Sequence, residues 1–261
     1  IQGLHEALVE SRENLKSVRQ NLEVAQAAGD SEEIQELRVQ LQEAQTSLVR
    51  QQLAANLDYE AIEAANRRAV AKVFVDFGDE VLTATAFAVR PDATLMTSRH
   101  VVTGPGGDQR PVRLAVQFAD SRQVWPARLL ATSPTDDLAV LKVDNILGGV
   151  PVTAGFNINQ RSILPGQGVA VIGFPLGGAD ATEDGEDSIA RSVLTAGVVS
   201  SVSASALELN GYGVEGSSGS PVFDEAGRVV GVLFGGRMDG GERTLFAVPA
   251  SRAAAFLSQV R

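Results

Sequence analysis

Gly216-Ser217-Ser218-Gly219-Ser220-Pro221 holds serine between two glycines, and the apolar run Val229–Phe234 follows shortly after. A turn of this composition can present one side-chain oxygen at the tip of a tight bend. It can also aim the backbone N–H groups of Gly216 and Ser218 at a single point, as acyl transfer requires of an oxyanion-binding site. Glycine at 216 permits a close backbone approach and a positive φ. Taken alone, Gly/Ser/Pro clusters also mark ordinary turns, so the surrounding chain has to decide.

A serine hydroxyl is a weak nucleophile at neutral pH and needs a base within hydrogen-bond reach. The chain has two histidines. His5 lies in a charged, periodic N-terminal segment, whereas His100 sits in Thr97-Ser98-Arg99-His100-Val101-Val102, where an apolar strand runs into a turn or short helix. His100 is therefore the candidate base. A base is oriented in turn by a third group, commonly a carboxylate on its other ring nitrogen. Asp136-Asp137-Leu138-Ala139-Val140-Leu141 offers one at the mouth of an apolar strand. Asp137 abuts the apolar run and is the better candidate, with Asp136 expected to face water.

These stretches, in the order His–Asp–Ser, resemble the chymotrypsin-fold serine proteases, and most closely their bacterial HtrA/Deg-like branch. Further segments agree: Ala84–Val89, Gly166–Leu176 (GQGVAVIGFPL), Ser192–Val202 (SVLTAGVVSSV), Arg228–Phe234 and Thr244–Pro249. The resemblance implies an all-β double six-stranded barrel over residues 67–261, closed by a C-terminal helix. It implies a serine endopeptidase with His100 as general base, Asp137 as its orienter and Ser218 as nucleophile. The N–H groups of Gly216 and Ser218 would form the oxyanion hole. Ser217 and Ser220 depart from the family's usual residues, but neither position supplies a reacting group. Arg99 is a large charged neighbour for the histidine and is expected to be a solvated surface side chain.

By the same resemblance, Tyr212 lies at the base of the pocket for the substrate residue before the scissile bond (P1), with Glu215 near its rim and Phe234 and Gly235 in its wall. Tyr212 and Phe234 suggest an apolar pocket for small to medium aliphatic residues, and Glu215 disfavours acidic substrates. The expected partner is a protein or peptide substrate. With no His/Cys cluster and no phosphate-binding loop, neither metal nor organic cofactor is expected.

The composition suits this class. The 261 residues include 26 glycines and many short Val/Ala/Leu runs, as tight-turned barrels need. Strands are expected at Val70–Phe77, Val81–Val89, Thr94–Thr97, Val112–Phe118, Trp125–Ala131 and Leu138–Val143. A second set is expected at Val150–Ala154, Gly168–Gly173, Ser192–Val202, Ser205–Leu209, Pro221–Phe223, Val229–Leu233 and Leu245–Val248. A short helix capped by Ser251 should run to Gln259.

Residues 1–66 differ. Leu4, Leu8, Ser11, Leu15, Val18, Leu22 and Ala25 alternate spacings of four and three, a heptad pattern. Ala28-Gly29-Asp30-Ser31 interrupts it, and Ile34, Leu37, Leu41, Ala44 and Leu48 resume it. The reading is a helical hairpin or coiled coil, folding on itself or associating with other subunits. One hairpin buries little apolar surface, which favours a homo-oligomer, a trimer or dimer.

The net charge of −10 is spread over both parts and argues for solubility and against nonspecific nucleic-acid binding. The acidic run Asp180–Asp187 lacks the spacing of a calcium loop and reads as a solvated loop. There is no cysteine, hence no disulfide. No PDZ-like segment follows the protease-like part, so recruitment or activation falls to the N-terminal helices. The chain begins at Ile1, and a membrane anchor missing from its start is consistent with the reading. The resemblance implies an extracytoplasmic bacterial home, periplasmic or membrane-tethered. The competing reading is a catalytically silent protease-fold adaptor that binds peptides and oligomerises through the coiled coil.

Overall fold

The computed structural model describes residues 2–29, 31–55, 57–104, 106–175, 188–211, 216–239 and 242–260. Two long helices come first, α1 (Gln2–Ala28) and α2 (Ser31–Ala55). Gly29 takes φ 75° and its N–H donates to the Ala25 carbonyl, which ends α1 and turns the chain back. Val18, Ala25 and Leu37 are buried between the two helices, with Leu22, Ile34 and Leu41 packed beside them. The heptad positions thus close α1 on α2, and α2 also packs against the second of the two barrels that follow.

A third helix, α3 (Tyr59–Asn66), begins with the Asp58 carboxylate accepting the Ala61 N–H. Its Tyr59 and Ile62 are buried in the core shared by both barrels. Asn66 is fully buried and satisfied on both sides of its amide. It donates to the carbonyls of Ile62 and Gly227 and accepts the Ala154 N–H.

The first barrel contains β1 (Val70–Asp76), β2 (Val81–Arg90) and β3 (Thr94–Thr97), then the one-turn helix α4 (Arg99–Thr103). It continues with β4 (Arg113–Phe118), β5 (Val124–Thr132) and β6 (Ala139–Val143), and closes in the order β1-β2-β3-β6-β5-β4. The second contains β7 (Gly168–Gly173), β8 (Val193–Val202), β9 (Leu207–Gly211), β10 (Pro221–Phe223), β11 (Val229–Asp239) and β12 (Glu242–Pro249). It closes in the order β10-β11-β12-β9-β8-β7, and α5 (Ala250–Gln259) follows. Neighbouring strands in both barrels are antiparallel, giving the double barrel of the chymotrypsin-like fold.

The period-2 pattern of each strand explains the layering. On β2, Ala84, Ala86 and Ala88 fill the first barrel, while Phe87 turns to the core between barrels. On β6, Ala139 and Leu141 point inward, while Val140, with Leu138 just before the strand, joins Phe87. Ile172, Phe223, Val229 and Val232 meet them from the second barrel, and Ala253, Phe256 and Leu257 of α5 extend the same cluster.

Three expectations are corrected. Val150–Ala154 is not a strand. Both barrels already close on six strands, so this segment links them through scattered bonds, Val150 N–H to Pro91 O and Thr153 N–H to Ala88 O. Ser251 does not cap α5: Pro249 ends β12 at φ −58° and ψ 142°, so the helix starts directly from the strand with no side-chain cap. β11 continues past Leu233 because Gly235 and Gly236 still pair with Phe246 and Leu245, although glycine had ended the apolar pattern.

The packing of α3 gives a test. Removal of residues 1–55 is expected to leave the barrels folded with little change in melting temperature. Removal of residues 1–66 also takes away Ile62, whose truncation to alanine alone should cost about 2–5 kcal/mol. Thermal unfolding of both truncations should show a much larger drop for the longer one.

Candidate active site

The site lies at the seam of the barrels. Thr97 ends β3, and its hydroxyl donates to Thr85 O at 2.7 Å. The next residue, Ser98, is buried and donates from Oγ to Leu233 O at 2.7 Å, across the seam. α4 then begins and carries His100 on its first turn.

His100 bridges the two other candidate residues. Its Nδ1 lies 2.6 Å from Asp137 Oδ2 and its Nε2 lies 2.9 Å from Ser218 Oγ. The His100 backbone N–H also donates to Asp137 Oδ1 at 2.9 Å, so both carboxylate oxygens are engaged by one residue. With Nδ1–H donating to Asp137, Nε2 is left free to accept the Ser218 hydroxyl proton.

Burial pushes the Asp137 carboxyl up. The opposing effects prevail: the hydrogen bonds from the His100 ring and backbone, and attraction to His100 and Arg99, hold it below the usual carboxylate value. Asp137 is therefore an anion at neutral pH. Its loop is tightly anchored. The Ser133 hydroxyl accepts the N–H groups of Thr135 and Asp136, and Arg99 Nη1 donates to Ser133 O at 3.0 Å. Arg99 is thus a half-buried brace rather than the solvated side chain expected.

Asp136 also departs from expectation. Its side chain is only 11 % exposed and Oδ1 meets Arg252 Nε of α5 at 2.5 Å. The Asp136 carboxylate holds the Arg252 guanidinium above its ordinary pKa. The C-terminal helix, which continues from the second barrel, thereby clamps the acidic loop of the first.

Ser218 sits in a turn that depends on glycine. Gly216 has φ 91° and Gly219 has φ 83°. A Cβ on Gly219 would stand 2.0 Å from Thr85 O and 2.3 Å from Thr97 Oγ1, so no side chain fits there. Thr85 N–H donates to Ser218 O at 3.0 Å, and Gly219 N–H donates to Leu233 O at 2.7 Å. The Gly216 and Ser218 N–H groups have no backbone acceptor among the described residues. Of the other two serines, Ser220 is fully buried, with its hydroxyl against Gly173 and no hydrogen-bond partner among the described residues. Ser217 lines the adjoining cleft.

That cleft, about 350 Å³, opens beside the Ser218 turn and is bounded by Gly216, Leu233, Gly235, Gly236, Arg237, Met238, Arg243 and Leu245. Gly235 borders this cleft. Phe234 is not among its described lining residues, and its ring packs on Phe246 with centroids 6.2 Å apart. Tyr212 and Glu215 lie outside the described residues, as does the acidic run 180–187. Among the described residues of the lining, Arg237 and Arg243 stand beside the apolar Leu233, Met238 and Leu245. Sequence reading also missed Thr85 and Ser98, the residues that stitch the Ser218 turn and its neighbour Leu233 to the first barrel. Their small polar side chains inside apolar strand ends were the available signal.

A chymotrypsin-like double barrel with serine, imidazole and carboxylate in line at its seam defines a trypsin-like class of protein. Residues 84–232, a span holding all three residues, match the trypsin-like peptidase domain family, and the chain belongs to it. Among curated proteins it is similar to a probable periplasmic serine endoprotease, DegP-like, of Marinomonas sp. strain MWYL1. They are 29% identical over 68% of this chain and 35% of that protein, so the chain spans only a minor part of that relative's length. Its fold is similar to that of a serine endoprotease from Yersinia pestis (TM-score 0.62, 20% identity, covering 77% of this chain and 66% of that one). It is also similar to the HtrA-type protease AlgW solved with a tripeptide (TM-score 0.61, 22% identity, covering 77% and 63%).

The Asp137 environment sets a pH dependence. A carboxyl held below its unfolded value stabilises the fold above the unfolded pKa of about 3.9, and that stabilisation is lost as pH falls through the folded value. Wild type should melt above Asp137→Asn at neutral pH. The gap should persist down to the unfolded carboxylate range and close below it in a pH series of thermal melts.

Proposed function

We propose that this protein is a serine endopeptidase acting through an acyl-enzyme. The observation that carries the reading is the His100 ring, held at 2.6 Å from Asp137 and 2.9 Å from Ser218. Ser218 Oγ attacks the peptide carbonyl as His100 Nε2 takes its proton. Asp137 stabilises the resulting imidazolium and keeps the ring in the productive tautomer. The carbonyl oxygen becomes an oxyanion held by the N–H groups of Gly216 and Ser218. His100 then returns the proton to the leaving amine, and water activated by the same imidazole hydrolyses the ester. The anionic Asp137 supports this role, and the geometry gives no support to a silent adaptor.

The hairpin and the protease-like part are read as two working units; the boundary expected after residue 66 is better placed before α3, because Tyr59 and Ile62 pack into the core of the barrels. Among the described residues the hairpin seam buries Val18, Ala25 and Leu37, while Val24, Val39 and Val49 remain exposed on its surface. This supports self-association through the hairpin, as a dimer or trimer, with assembly governing access to the site. The periplasmic designation of the relative favours an extracytoplasmic bacterial location. No described helix is long and apolar enough to cross a membrane.

Cleavage of an unstructured protein such as casein should be readily measured for wild type. Ser218→Ala should lower kcat/KM by at least about 10⁴-fold, with His100→Ala comparably low because the residues act as a unit. Equal cleavage by wild type and Ser218→Ala would reject the reading. Sedimentation of the full chain should give a concentration-dependent multimer, and loss of residues 1–55 should give a monomer; a monomeric full chain at all concentrations would reject the assembly role.

A further inference from the structure

The C-terminal helix α5 packs on β11 and β12 of the second barrel, yet it is tied to the first barrel at both ends. Near its C-terminus, Arg90 at the end of β2 donates from Nη2 to Leu257 O and Val260 O, both at 2.9 Å. In its first turn, Arg252 Nε donates to Asp136 Oδ1 at 2.5 Å. A cation in a first helical turn opposes the helix dipole, and that turn has no acidic residue of its own. The countercharge comes from Asp136, 116 positions earlier in the chain.

Asp136 shares a planar peptide bond with Asp137, so what holds one constrains the other. Three successive side chains of this loop have three separate anchors. Asp136 meets α5, Asp137 meets the ring and backbone of His100, and Leu138 is fully buried in the core shared by the barrels. Ser133 N–H donates to Leu138 O at 2.8 Å and closes the loop behind them. The Thr135 hydroxyl donates to Asp136 Oδ2 at 2.9 Å, but it brings no charge. Without Arg252, a carboxylate only 11% exposed would lose the cation it pairs with. A buried charge without its partner is strongly disfavoured, so the side chain would turn toward water. That movement rotates the peptide joining it to Asp137 and draws the second carboxylate off His100 Nδ1.

We infer that Arg252 is a positioning residue for the reaction at Ser218: through Asp136 it keeps the Asp137 carboxylate on the imidazole. This rests on the endopeptidase reading and extends it to the C-terminal helix. Misplacing a reacting group by about 1 Å costs up to about 10²-fold in rate. The loss should fall on kcat rather than KM, because neither Asp136 nor Arg252 is among the described residues that bound the cleft beside Ser218.

The test uses the full chain and one fluorogenic peptide taken from a casein cleavage site. Fluorophosphonate labelling to completion counts competent sites, so that kcat is expressed per site. Arg252→Gln should lower kcat by about 10- to 100-fold with KM within about twofold of wild type. Arg252→Lys keeps the charge and a donor and should retain at least about a third of wild-type kcat. In an Asp137→Asn background the orienting carboxylate is already gone, so adding Arg252→Gln should cost no more than about twofold. If Arg252→Gln melts below the assay temperature, Asp136→Asn breaks the same pair from the loop side and carries the same two expectations. A kcat per site within about twofold of wild type would overturn the positioning role and leave the endopeptidase reading standing. An equal cost in the wild-type and Asp137→Asn backgrounds would also overturn it, reducing the pair to general stability. Absence of any Ser218-dependent cleavage by wild type would overturn both.

Discussion

The close approach of the Ser218 turn to strand β2 is the constraint on which the site depends. Gly219 lies so near Thr85 and Thr97 that a methyl group cannot enter, and Thr85 N–H holds the Ser218 carbonyl directly. Ser98 adds a bond to Leu233, and Phe174 N–H donates to Thr85 Oγ1. These bonds fix Ser218 of the second barrel against the first barrel's His100 imidazole to within hydrogen-bond distance. The apolar cluster around Phe87, Ile172 and Phe223 supplies most of the adhesion, but apolar burial is not directional. The polar stitches supply the register.

The electrostatic arrangement follows from the same seam. Asp137 is partly desolvated, with a side chain 22% exposed, which alone would favour its neutral form. Two hydrogen bonds from His100 reverse that tendency, and Arg99 adds positive charge nearby. Its neighbour Asp136 is bound by Arg252 and leaves Asp137 as the carboxylate facing the imidazole. The acid is thus shaped by three elements: α4, the loop before β6, and α5.

Much of this was legible in the sequence because it is local. His100 follows a strand end, Asp137 precedes a buried strand, and Gly216–Pro221 spells a tight turn; each signal lies within six residues. The strand alternation of β1, β2 and β6 was likewise readable. The long-range pairings were not. Nothing near Arg252 announces Asp136, and nothing near Arg99 announces the Ser133 carbonyl, since each pair is distant in sequence. Val150–Ala154 has strand-like residues, yet neither barrel has a vacant edge to receive it. The arginines of the cleft escaped notice because Gly235-Gly236 reads as a strand break, whereas the hairpin continues through it.

The central claim is that one serine among three is activated by one imidazole. A fluorophosphonate reacts only with an activated serine, and peptide mapping by mass spectrometry locates the adduct. The account predicts a single stoichiometric adduct on Ser218, lost in His100→Ala. An adduct on Ser217 or Ser220, or equal labelling of Ser218 without the imidazole, would contradict it.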